Sequence, residues 1–174
     1  SGREKCRIGY LSADFGEHAT AYLAAELFEL HDRARFEVFA FSYGREEGSA
    51  TRARLRRAFD RFVDIRSASD ADAARAIHAE GIDILVDLKG YTFHARPEIL
   101  ALRPAPVQVS YLGYPGTMGA PFMDYLVGDY LAELTMSIMA RAREADPNMG
   151  YATDFVTVTM RRLIKDLARK QIKV

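Results

Sequence analysis

Ile8-Gly-Tyr-Leu-Ser-Ala-Asp-Phe-Gly-Glu-His18 is the stretch on which the fold turns. Its opening apolar run predicts a short buried strand, about Arg7 to Leu11. The run gives way to Ser12, Asp14, Gly16, Glu17 and His18, all small, polar or ionisable. From Thr20 to about His31 the apolar residues fall at helical spacing. Thr20 is placed to cap that helix, and Tyr22, Leu23, Leu27 and Leu30 form its expected buried stripe. Strand, polar loop, helix is the unit of an open α/β sheet, where ligands sit at the carboxyl ends of the strands. The loop is therefore the candidate site. Asp14 and His18 stand four apart in it. A carboxylate beside an imidazole fixes its tautomer and suits acid–base work. The same two residues also suit plain capping, Asp14 of a turn and His18 of the helix, and both readings stand.

Working outward, the unit repeats. Phe36 to Tyr43 is β-branched and aromatic and predicts a second strand. Ser49 to Phe59 predicts a surface helix whose arginines (52, 54, 56, 57, with Arg61 beyond) form a solvated face balanced by nearby acids. Phe62 to Ile65 is a third strand. A helix opens at Ser69-Asp-Ala-Asp, with acids at the positive end of its dipole, and stops at Gly81. Ile82 to Leu88 is nearly all apolar and predicts a central strand. Lys89-Gly-Tyr-Thr92 follows as a second loop, then a short helix from Pro97. Val107 to Leu112 is a fifth strand, running into Gly113-Tyr-Pro-Gly-Thr117. Phe122 to Val127 is a sixth.

The fold class is therefore α/β, a Rossmann-like, mostly parallel sheet with helices on both faces. The expected strand order is 3-2-1-4-5-6, with a five-strand response-regulator-like order as the alternative. In either order, loops 12–20, 89–95 and 112–120 open on one edge. The expected boundaries are a lobe over 1–130 and a helical extension over 131–174. In the extension, Leu131, Leu134, Ile138, Met139 and Ala142 keep helical spacing. A second, basic helix is expected from about Phe155 to Leu167.

Composition limits function. The 174 residues carry 24 basic and 24 acidic side chains, so no net charge draws the chain to nucleic acid or to an anionic membrane. No apolar run nears the ~20 residues that span a bilayer. No secretory signal is visible, and a cytoplasmic protein is expected. Cys6 is the only cysteine, so neither an internal disulfide nor a cysteine-rich zinc site is available. The four histidines lack ligand spacing, and no metal is expected. Glycine-rich phosphate loops and a G-x-S-x-G elbow are absent. Three features remain open between function and structure. Arg96 either clamps an anion or ties down a loop. Gly113 to Thr117 either brings backbone close to a ligand or forms an ordinary turn. Tyr91, Tyr111 and Tyr114 either pack or present hydroxyls.

Three long segments carry a family likeness. They are Ile8 to His18, Gly81-Ile-Asp-Ile-Leu-Val-Asp-Leu-Lys-Gly-Tyr-Thr92, and Leu102-Arg-Pro-Ala-Pro-Val-Gln-Val-Ser-Tyr-Leu-Gly-Tyr-Pro-Gly-Thr-Met-Gly-Ala120. In this order they resemble the catalytic region of the O-linked N-acetylglucosamine transferases, including the Spindly-type and bacterial tetratricopeptide-linked proteins. The resemblance covers about Arg7 to Asp129. It implies the N-terminal lobe of a GT-B glycosyltransferase, with a protein or peptide acceptor in the cleft between two lobes. UDP-N-acetylglucosamine is then the donor substrate, no cofactor is needed, and catalysis is metal-independent and inverting. Asp14 falls on an aspartate proposed to assist loss of the acceptor hydroxyl proton, and His18 on its active-site neighbour. Leu112, Gly113, Tyr114, Pro115, Gly116 and Thr117 fall on the loop lining the acceptor cleft, and Thr20 and Thr92 are further substrate-side candidates. The family commonly has His-Pro-Thr where this chain has His18-Ala-Thr20. A second lobe needs roughly 200 more residues, which the segment after 130 is not expected to supply. A second lobe or a homo-oligomer is the expected partner, and the chain alone is expected to be inactive. Two other functions fit the same scaffold, a protein-interaction module and a small-molecule enzyme of flavodoxin-like fold.

Overall fold

The computed structural model describes residues 4–114 and 116–128. Pro115 and the expected extension over 131–174 lie outside the described residues. Six strands, all parallel, form one sheet in the order β3-β2-β1-β4-β5-β6. They are β1 (Cys6–Ser12), β2 (Phe36–Ser42), β3 (Arg61–Asp64), β4 (Ile84–Asp87), β5 (Val107–Tyr111) and β6 (Tyr125–Val127). This is the Rossmann-like order. It excludes the five-strand alternative, and with it the flavodoxin-like scaffold considered for a small-molecule enzyme.

Alternation along the strands builds two cores. Ile8 and Tyr10 of β1, with Val38 and Ala40 of β2, face helices α1 (Ala19–Glu29) and α2 (Ala50–Ala58). Leu11, Phe39 and Phe41 face α3 (Asp70–Ala79) and α4 (Pro97–Ala101). Side chains one apart on a strand point to opposite faces, so a sheet buried on both sides reads as a continuous apolar run. β1, β2 and β4 all show that run.

The helix ends follow from the residue chemistry. Ser49 and Ser69 accept from the backbone N–H groups of Arg52 and Asp72 and so start α2 and α3. Asp70 and Asp72 lie in the first turn of α3. Gly81, at φ 61°, takes the left-handed turn beyond that helix.

Two expectations are corrected. Thr20 does not cap α1; it lies inside the helix and is buried, and His18 is the cap. The stripe of Tyr22, Leu23, Leu27 and Leu30 is exposed, Leu23 at 70% and Leu30 at 73%. The buried face instead runs through Thr20, Ala21, Ala24, Ala25 and Phe28. Alanines let α1 lie close to the sheet, and Phe28 fills the space between Tyr10 and Phe59. Helical spacing identified the helix, but the larger side chains point the other way.

The arginines of α2 are only partly a solvated face. Arg54 and Arg56 do make exposed pairs with Glu29 and Glu46. Arg52 is buried at 1%, beneath the loop that follows β1. It donates two hydrogen bonds to Glu46 and one to the Phe15 carbonyl at 2.9 Å.

Candidate functional site

Loops 12–18, 88–96 and 112–119 meet at the carboxyl edge of the sheet. β1, β4 and β5 are adjacent and parallel, so their loops leave side by side. Tyr91 and Tyr114 meet edge to face with ring centroids 5.9 Å apart. A methyl group on Gly113 would lie 1.7 Å from the Leu88 carbonyl oxygen. The loop after β5 is thus folded flat onto the end of β4, and only glycine permits it. The backbone close approach expected at Gly113 is to the neighbouring strand. Leu112 reaches this turn with φ 65°.

The Lys89 ammonium donates to Asp14 Oδ2 at 2.8 Å across 75 residues of chain. Both side chains are largely buried, at 7% and 13% exposure. The same carboxylate oxygen lies 3.6 Å from His18 Nδ1. Asp14 therefore serves as partner to Lys89, while its carbonyl accepts from Gly16 to form the turn. Lys89 was read only as the start of a loop. Its single charge at the end of an apolar strand was the available signal.

His18 Nδ1 accepts from the Thr20 N–H at 3.2 Å. An imidazole nitrogen that accepts carries no proton, so neutral His18 in this pose holds its proton on Nε2. The His18 side chain is half exposed.

Asp87, beneath the pair, is buried and accepts from the N–H groups of Lys89 at 3.1 Å and Gly90 at 2.7 Å. Burial pushes its pKa up to about 6, against those hydrogen bonds and the Lys89 charge. Tyr43, close by, is pushed well above the usual tyrosine range by burial, then by the Asp87 and Asp14 carboxylates.

An open cleft of about 640 Å³ lies beside Asp14, walled by Tyr43, Arg45, Arg66, His94 and Arg96. Arg96 is not free to clamp an anion. It donates to Asp70 at 2.6 Å and to the carbonyls of Ile65 and Ala68, so it ties down the turn before α3. The Thr92 hydroxyl donates to the Lys89 carbonyl at 2.8 Å, and Thr117 Oγ1 accepts from the Gly119 N–H. Gly116 is buried beside Tyr114. Thr20 is enclosed at the start of α1. Thus Asp14, His18, Thr92, Leu112, Gly113 and Tyr114 lie on the three converging loops, and Thr117 lies farther along the last. Among the described residues no group of three or more His, Cys, Asp or Glu side chains is placed to hold a metal ion. None of the described helices is long and apolar enough to cross a membrane.

Comparison with known proteins gives the family. The profile of glycosyl transferase family 41 matches residues 1–173. The chain belongs to glycosyl transferase family 41. It is 46% identical over 127 residues to a UDP-N-acetylglucosamine–peptide N-acetylglucosaminyltransferase of Caenorhabditis elegans, covering 72% of this chain and 11% of that protein. It is 42% identical over 128 residues to the probable enzyme SEC of Arabidopsis thaliana, covering 74% and 13%. A solved mutant of the Thermobaculum terrenum O-GlcNAc transferase superposes with a TM-score of 0.69 at 40% identity, covering 72% of this chain and 24% of that one. The chain thus spans a small fraction of the length of these family 41 relatives. The expected likeness to the catalytic region of these transferases and the Rossmann-like class both hold.

Proposed function

We propose that this family 41 chain is the acceptor-side lobe of a glycosyltransferase that moves N-acetylglucosamine from UDP-N-acetylglucosamine to Ser or Thr hydroxyls of a protein or peptide. The observation that carries this is the Asp14–Lys89 pair, with His18 beside it, at the meeting of three loops. The names of the relatives supply the reaction.

In an inverting transfer the hydroxyl oxygen bonds to the anomeric carbon as the bond to UDP breaks. The hydroxyl loses its proton, and negative charge grows on the departing phosphate. Asp14 is the assigned carboxylate that assists loss of that proton. Lys89 fixes its orientation and keeps its charge compensated. His18, donating through Nε2, orients a substrate oxygen. Leu112, Gly113, Tyr114, Pro115, Gly116 and Thr117 line the acceptor side, with Thr20 and Thr92 behind them.

The chain by itself is expected to transfer little. Lys89 is spent on Asp14, and Arg96 on Asp70 and two carbonyls, so neither serves a departing pyrophosphate. A second lobe is needed to supply that charge. Labelled UDP-N-acetylglucosamine with a Ser/Thr peptide tests this. No labelling is expected from the chain alone. Labelling abolished by Asp14→Asn would establish the site and overturn the inactivity.

A further inference from the structure

The cleft of about 640 Å³ beside Asp14 carries charge that the Asp14–Lys89 pair does not use. Arg45, Arg66, His94 and Arg96 line it, and Asp14 is the single acid among the described lining residues. Most of these charges already have partners. Asp14 is held by Lys89. Arg96 is held by Asp70 and two carbonyls, with its guanidinium 5.6 Å from the centre of the Tyr43 ring, and so forms a fixed wall. Asp87 is buried and turned to backbone donors. Arg66 makes one exposed pair with Asp64 at 3.1 Å, which leaves it donors for a second partner.

Arg45 differs from all of these. It is exposed, and it makes no hydrogen bond or ion pair among the described residues. The acids next to it in sequence are engaged elsewhere, Glu46 with Arg52 and Arg56, and Glu47 with the Glu17 N–H and the Ser49 hydroxyl. Its place is set by Gly44. A methyl group there would lie 1.7 Å from the Ala13 carbonyl oxygen, so the loop after β2 is pressed against the loop that carries Asp14. His94 faces the same cleft from the loop after β4. It is held at φ 62°, a costly conformation for a residue with a side chain, and its ring is exposed against Phe93. One uncompensated cation, a second with spare donors and an imidazole therefore share a cavity with the assigned carboxylate.

We propose that this cleft receives an acidic side chain of the acceptor, an Asp or Glu close in sequence to the Ser or Thr whose hydroxyl meets Asp14. This rests on the acceptor-side reading given above. A cleft of this volume is roughly 11 Å across, or about three residues of extended peptide. A carboxylate there takes the Arg45 guanidinium as a two-pronged partner, with Arg66 and His94 to either side. An uncharged flank gains no such bond, and a basic flank is repelled.

Peptide binding to the full chain tests this. The probes are dye-labelled dodecapeptides with one central Ser and with Asp, Asn or Lys three residues after it, and a second set with the same residues before it. Fluorescence anisotropy at low salt is expected to show, in one of the two sets, about fivefold tighter binding of the Asp peptide than of the Asn peptide, with the Lys peptide weakest. Arg45→Glu should abolish or reverse that order, and the exposed change Arg57→Glu on α2 should leave it intact. A preference that survives Arg45→Glu would overturn the proposal. Displacement of the Asp peptide by UDP would also overturn it and give the cations to the donor. Equal binding of all the peptides would remove the charge recognition and leave the acceptor-side reading standing. No binding of any peptide would overturn both.

Discussion

At the level of single residues, Asp14, Lys89 and Asp87 form two carboxylates around one buried cation. Only Asp14 takes the ammonium directly, and Asp87 is left to backbone donors. Lys89→Met keeps the volume but strands the Asp14 carboxylate, and should cost about 3 kcal/mol by urea unfolding. Asp14→Asn in the same chain should recover part of that loss. Asp87 gives a pH signature of defined sign. Its folded pKa, about 6, lies above the ordinary aspartate value. Between those two values the folded state holds a proton that the unfolded chain has released. Stability from this group is therefore full in acid below the unfolded pKa, and is lost as pH rises through about 6, by up to about 3 kcal/mol. Exposed carboxylates held low, such as Glu46 beside Arg52, act in the opposite sense. The difference between the parent chain and Asp87→Asn isolates the Asp87 effect. Unfolding free energies measured from pH 4 to 7 should lie closest in acid, where protonated Asp87 is nearly isosteric with asparagine, and the parent should lose stability relative to Asp87→Asn as pH rises through about 6.

Among the elements, α1 shows what sequence spacing can and cannot decide. Phe28→Ala should cost about 3 to 5 kcal/mol, because Phe28 is fully enclosed among Tyr10, Phe15 and Phe59. Leu23→Lys should change stability by no more than about 0.5 kcal/mol, since its side chain is exposed. Thermal unfolding of the two variants checks the assignment of faces. The strands and their order were legible because two-sided burial writes apolar runs in the sequence and parallel crossovers leave few topologies. The buried side of α1 was not, because contact with the sheet selected alanines for closeness, and size had pointed to leucine. Arg52 was hidden for a related reason. Its burial depends on the Phe15 carbonyl and Glu46, and no local pattern announces either. Loop geometry gives a further contrast. Gly113→Ala should cost about 3 kcal/mol or more, since its methyl group would meet backbone that cannot yield. Gly48→Ala, with nothing within 4 Å, should be neutral or slightly stabilising in the same thermal assay.

For the whole molecule, charge balance has a solution consequence. The formal net charge is zero and the isoelectric point is near 6.9, while α1 presents Leu23 and Leu30 to solvent. Self-association should be greatest near neutral pH and fall by pH 9, as light scattering would record. The convergence of the three loops on one edge was legible from the strand order, since adjacent parallel strands must release their loops together. The ion pair that joins two of those loops was not, because 75 residues separate its members and only the closed sheet brings them within reach. That separation also sets a timetable. β1, β2 and β3 emerge from the ribosome before β4 and can pair with one another, but Lys89 arrives only with the strand that completes the other side of β1. Until then the Asp14 carboxylate remains in water with its loop unanchored. The chemically competent edge is thus a later product of folding than the β1–β2–β3 half of the sheet, assembled only once β4 has been made.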